Sequence, residues 1–231
     1  MSKKFFFLLN LLLMHSVFVG NYYYILNGGW HLKVLCSAGF AVMGLLNLGY
    51  SVCHNVHGRG FQWLMASGLV LSLLADATIE ADFIVGVLLF GAAHVAYVAA
   101  HCRLMPIQKK DIHISWLIFT GALVFLLLCP WLELPDHAMR SVCLLYGALL
   151  SLMLGKALVG FVRRPGLLTG VLAVGSGLFF FSDAMLVLEW FIDQWSITGT
   201  LCMATYYPGQ CLLALAILLQ VKRRRDIREL Q

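Results

Sequence analysis

Charge is what this sequence has least of: Asp, Glu, Lys and Arg make up 12% of its 231 residues, 61% are apolar, and the mean hydropathy is +0.87. A water-soluble domain carries roughly twice that share of charge, so the composition excludes one and makes lipid the solvent. The signatures of soluble enzymes are missing too. There is no G-x-S-x-G, no H-E-x-x-H and no P-loop, which sets aside serine and metal hydrolases of the soluble type. The seven cysteines (Cys36, Cys53, Cys102, Cys129, Cys143, Cys202, Cys211) form no C-x-x-C pair and show no metal-ligand spacing, so they read as small core-filling thiols. Of the eight histidines, only His15 and His94 fall well inside apolar segments, too few for a three-histidine zinc site. The opening MSKKFFFLLNLLLMHSVFVG starts like a signal peptide but lacks a small-x-small cleavage site, because Phe18 stands two before Gly20. It is expected to remain as a first helix.

What is present is a succession of apolar runs. Crossing about 30 Å of hydrocarbon takes about 20 helical residues. Runs bounded by polar or Gly/Pro residues predict helices at 4–20, 31–49, 61–80, 82–101, 113–130, 138–159, 166–190 and 199–221. The fold class is therefore all-α: a polytopic membrane bundle of about eight transmembrane helices, one domain over 1–221 with a basic tail at 222–231. Only Glu80, Ala81 and Asp82 separate the third helix from the fourth, which predicts a tight turn there.

Basic residues set the expected orientation, because cytoplasmic loops are enriched in Lys and Arg. With the N-terminus inside, Lys3, Lys4, Arg59, Arg103, Lys109, Lys110, Arg163, Arg164 and the run from Lys222 to Arg228 all fall on the cytoplasmic side, and Lys156 leans there. Lys33 and Arg140 fall near the opposite face, with Glu80, Asp82, Glu133, Asp136, Glu189 and Asp193. Both termini are expected in the cytoplasm. The net charge of +5 is thus a topology signal, and no nucleic-acid partner is expected.

Against this background two carboxylates are out of place. An Asp at a helix centre costs about 2.5 to 3.5 kcal/mol on insertion scales, so Asp76 and Asp183 mark a functional site unless Ser, Tyr or Lys holds them as structural glue. GLVLSLLADA at 68–77 and GSGLFFFSDA at 175–184 both place a Gly eight residues before an Asp-Ala pair, on helices that run the same way. Helical spacing gathers other polar groups. Phe90, His94, Tyr97 and His101 share one face, and Tyr206, Tyr207 and Gln210 share one turn. Lys33 opens the second helix at the Asp76 end. Together these residues suggest a polar cavity in the outer half of the bundle.

At these same residues the chain resembles the YhhN family of lysoplasmalogenases. The resemblance runs in order through LADATIEADFIVGVLLFGAAHVAYVAAH (74–101), FFFSDAMLVLEWF (179–191) and MATYYPGQCLLAL (203–215). It implies motif positions at Asp76, Gly86, Phe90, His94, Tyr97, Ser182, Asp183, Tyr206, Tyr207 and Gln210. Ala75 stands where the family usually has Gly. Pro208 inserts a helix breaker that could unwind the Tyr-Tyr-x-x-Gln turn and re-aim its phenols. The fifth and sixth helices are generic in this comparison.

The resemblance implies hydrolysis of the vinyl ether of lysoplasmalogens to a fatty aldehyde and a glycerophospho head group. A vinyl ether hydrolyses once its β-carbon is protonated and water captures the resulting oxocarbenium ion. That chemistry needs an acid, an anion beside the developing cation, and no cofactor or metal. Two carboxyls in a low-dielectric site can supply both, because like charges at close range disfavour double ionisation. Asp76 and Asp183 are then the expected catalytic pair, much as paired carboxylates act at glycosidic bonds. His94, Tyr97, Ser182, Tyr206, Tyr207 and Gln210 would position water or the glycerol hydroxyl, and Lys33 would attract the phosphate. The partners implied are a lysophospholipid from the bilayer and water. Rival readings are a transporter or proton and cation relay using the same carboxylates, a lyso-lipid hydrolase of ester or amide specificity, and a non-catalytic lipid-binding protein. Short loops suggest a bacterial cytoplasmic membrane ahead of endoplasmic reticulum.

Overall fold

The computed structural model describes residues 3–54, 59–128, 137–191 and 197–229, with side chains for all of these except 3, 4, 126, 127, 137–139, 191 and 222–229. Cys129, Glu133, Asp136 and Asp193 lie outside the described residues. Eight helices follow one another: α1 (Lys3–Asn27), α2 (Trp30–Cys53), α3 (Gly60–Thr78), α4 (Phe83–Leu104), α5 (Lys109–Leu128), α6 (His137–Arg163), α7 (Leu167–Phe191) and α8 (Thr198–Glu229). No strand occurs among the described residues. Among the described residues seven of the eight, all but α5, are long and apolar enough to cross a membrane.

The helices are those expected, but several ends move. The first does not stop at Gly20. That glycine is a contact point, because a methyl group there would lie 2.8 Å from the Cys36 sulfur of α2. The chain turns instead at Gly28 and Gly29, whose φ angles of 68° and 102° favour residues without a Cβ. The expected turn at 80–82 is present. Asp82 caps α4 by accepting a hydrogen bond from the Val85 amide at 3.1 Å. A side chain at Gly86 would run into Ile79, so this glycine lets α4 fold back closely on α3. Pro208 does not unwind the Tyr-Tyr-x-x-Gln turn: α8 continues through it to Glu229, carrying the run from Lys222 to Arg228 with it.

Among the described residues α3 lies along α4 and α7 along α8, while α2 packs on both α3 and α8. α1 covers α2 and α8 from outside, α6 bridges α4 and α7, and α5 packs against α6 alone. Without a hydrophobic driving force between helices in lipid, small residues and buried polar bonds hold such contacts. Gly68 takes the ring of Tyr97, and a methyl group at Gly209 would sit 3.1 Å from the Gly175 carbonyl oxygen. Asn47 donates to Asn10 at 2.8 Å and to the Ala214 carbonyl at 2.9 Å, tying α2 to α1 and α8. Cys36, Cys202 and Cys211 fill the core as expected, whereas Cys102 and Cys143 are half-buried and Cys53 is exposed.

Candidate active site

Asp76 sits two residues before the end of α3 and is buried. Its Oδ2 accepts hydrogen bonds from Ser37 of α2 and Tyr206 of α8, each at 2.6 Å. Ser37 lies one turn beyond Lys33, whose backbone carbonyl accepts the Tyr207 hydroxyl at 3.0 Å. Three helices thus converge on one carboxylate. The Lys33 ammonium, itself buried, reaches past it to Glu80 at 3.1 Å, so the cation expected to await a phosphate already holds a carboxylate at the end of α3.

Asp183 lies in the interior of α7, equally buried. Tyr146 of α6 donates to its Oδ2, and the Ser182 hydroxyl lies 3.3 Å from Oδ1 while donating to the Phe179 carbonyl at 2.7 Å. Among the described residues neither Asp76 nor Asp183 is ion-paired.

Several of the remaining expected residues pack around one aromatic ring. Phe179 is the hub, with ring centroids 4.7 Å from His94 and 5.4 Å from Tyr206. His94 Nδ1 is 2.8 Å from the Phe90 carbonyl, an assignment that makes it the donor and leaves Nε2 buried without a partner, 5.2 Å ring to ring from Tyr146. Tyr97 donates to Gln210 Oε1 at 2.9 Å, joining α4 to α8. His101 shares the face but lies two turns away, beside Lys156, and contacts neither aspartate. The glycines of the repeated Gly-Asp spacing, Gly68 and Gly175, both mark close helix contacts.

A cavity of about 340 Å³ opens beside Asp183, between α4, α5, α6 and α7. Asp183 and Tyr146 give it its polar spot, and the rest is apolar, including Phe83, Val87, Leu117, Leu150 and Val187. Asp76 does not line it. This cavity is apolar with a carboxyl in its wall, while the polar network around Asp76 is buried. Such a shape suits an apolar ligand presenting a reactive centre to one acid. Tyr146 and Ser37 were not singled out in the sequence. Ser37 stands four residues after Lys33, a spacing that signals a shared helix face. Tyr146 gives no comparable sign, since its partner lies across a helix interface.

The same residues lie within recognisable relatives. Lysoplasmalogenase TMEM86B of Homo sapiens is 29% identical over 198 residues, covering 81% of this chain and 73% of its own. Lysoplasmalogenase TMEM86A of Homo sapiens is 31% identical over 176 residues (69% and 70%), and that of Bos taurus 30% over 177 residues (69% and 70%). No solved structure matches the chain. The sequence model of the YhhN family spans residues 32–217, from the turn that carries Lys33 past the one that carries Gln210, and the chain belongs to the YhhN family.

Proposed function

We propose that this protein hydrolyses the vinyl ether bond of lysoplasmalogens, releasing a fatty aldehyde and a glycerophospho head group. The observation that carries this reading is the carboxyl of Asp183, held by Tyr146 in the wall of an apolar cavity, in a chain whose relatives are named lysoplasmalogenases. Asp183 is the proton donor. It faces the cavity, and the cavity is where the reacting carbon can lie. Its proton passes to the β-carbon of the vinyl ether, leaving an oxocarbenium ion and the Asp183 carboxylate. Water adds to the cationic carbon, and its proton returns to that carboxylate. The hemiacetal then breaks its bond to the glycerol oxygen to give aldehyde and a free hydroxyl.

Asp76, which does not line the cavity, supplies a second negative charge that acts on the developing cation through space. Ser37 and Tyr206 fix its position, so that charge needs no rearrangement during reaction. His94 Nε2, buried and without a partner, is a ready acceptor for the attacking water. Tyr97, Tyr207 and Gln210 hold α2, α4 and α8 around the two carboxylates, and the Lys33–Glu80 pair stands at the end of the bundle where the head group would rest.

Purified protein offered lysoplasmalogen and the matching ester lyso-lipid should release aldehyde from the first and no fatty acid from the second. Fatty acid release without aldehyde sinks the vinyl-ether reading. Ion flux in proteoliposomes without aldehyde release would turn the same carboxylates into a relay.

A further inference from the structure

The cavity beside Asp183 is short and open on one side. From Tyr146, level with Asp183, to Leu150 at its far wall is four residues of α6, about 6 Å of helix rise. A long fatty chain does not fit in that distance. Toward the other end the wall runs through Leu186 and Val187, a turn short of Glu189 and level with the charged end of the bundle that holds Lys33 and Glu80. Charge therefore lies on one side of Asp183, and only apolar wall on the other.

The open side is α5. This helix packs against α6 alone among the described residues, whereas α4 and α7 meet each other through side chains, Phe83 on Trp190 with ring centroids 4.6 Å apart and Phe90 on Phe179 at 6.2 Å. Leu117 and Phe125 of α5 line the cavity yet are 64% and 53% exposed, so the same residues face both the interior and the apolar outer surface of the bundle. Between them, a side chain at Gly121 would find no atom within 4 Å, and one at Gly147 would meet the ring of Phe119 only at ordinary contact distance. The two glycines keep the slot open.

We propose that this slot reads only the first carbons of the substrate's hydrocarbon chain, between Gly121, Gly147 and Leu150, and that the rest of the chain leaves beside α5 into the bilayer. The proposal rests on the lysoplasmalogenase reading and adds to it the seat and the direction of the chain. Chain-length selectivity then saturates. Carbons within the slot contribute to binding, and carbons beyond it exchange one apolar surrounding for another. A lipid whose chain stays partly in hydrocarbon also need not leave the membrane to react.

Two measurements test this. With lysoplasmalogens of graded chain length, kcat/KM should climb over the shortest chains and then stay flat. Gly121→Leu, which fills open space and suits a helix, should lower the plateau about 10-fold or more, the scale of a misfit of one or two methylenes in an apolar pocket. A climb that continues to the longest chains, or an unchanged plateau in the folded variant, overturns the proposal. The second measurement needs no turnover. Cys143, a free thiol, lines the cavity about one turn before Tyr146, whereas Cys53 lies outside it and is exposed. A saturated alkyl-ether lysophospholipid, which cannot be hydrolysed this way, should slow alkylation of Cys143 several-fold by site-resolved mass spectrometry and leave Cys53 alone. Gly121→Leu should abolish that protection. Protection without aldehyde release from lysoplasmalogen would keep the slot and discard the hydrolase; aldehyde release without protection would do the reverse.

Discussion

At one end of the bundle Asp111 of α5 receives the Lys156 ammonium of α6 at 2.8 Å, with both side chains almost wholly buried. The same Oδ2 accepts the Gln108 amide, and Lys156 also donates to the Pro106 carbonyl. Away from it Asp76 receives the hydroxyls of Ser37 and Tyr206, and Asp183 those of Tyr146 and Ser182, with no cation in direct contact among the described residues. Both ends bury carboxylates in a place that disfavours charge. One resolves the conflict by neutralising it within a closed cluster. The other leaves it unresolved, with Asp183 beside a cavity. A carboxylate held by a cation is kept charged; one held by hydroxyls beside open space can give up or take a proton. Burial alone does not separate structural from catalytic acids, and the partner does.

The sharpest way to break this contrast is to neutralise one carboxylate at each end. Asp183→Asn should lower aldehyde release by about 10³-fold, the scale of a lost general acid, with unfolding in detergent unchanged. Asp111→Asn should do the opposite, destabilising the protein by about 3–5 kcal/mol by stranding the Lys156 charge, while the folded fraction keeps its turnover per molecule. Replacing both partners, Asp111→Leu with Lys156→Met, should recover most of that stability in the same unfolding assay. If Asp183→Asn instead unfolds the protein and Asp111→Asn silences it, the two centres have been assigned the wrong way round.

Smaller effects sharpen it. Asp76→Asn should reduce kcat by about 10²-fold, less than Asp183→Asn, because the proposed mechanism has Asp76 stabilise charge without supplying the proton. Tyr146→Phe and Tyr206→Phe should each cost about 10-fold in kcat through loss of one hydrogen bond to a carboxylate, with KM little changed. Lys33→Met should have the smallest effect, a rise in KM of about 2- to 5-fold, since Lys33 is already engaged by Glu80 and such a change removes binding shared by ground and transition states.

Much of this was legible in the sequence because lipid makes polarity expensive. Asp76, Asp183, Lys33 and His94 stand out from apolar runs, and helical spacing alone groups Phe90 with His94 and Tyr97. What could not be read is which helix lies beside which. Hydropathy fixes how many helices form but not their lateral order, so Tyr146 in an unremarked sixth helix could not be matched to Asp183, nor Asp111 to Lys156. The helix ends failed for a related reason. Gly20 has the composition of a break but serves as a contact surface for α2, and only the neighbouring helix makes that visible.

The crossing of α7 and α8 has a mechanical meaning. Gly175 and Gly209 bring the two backbones so close that a methyl group on either would lie 3.1 to 3.2 Å from the other's carbonyl oxygen, and neither helix can slide or roll there without collision. Asp183 rides on one of these helices and Tyr206, which grips Asp76, on the other. Asp183 and the clamp on Asp76 therefore sit on two tightly packed helices, whereas α5 leans on a single neighbour among the described residues.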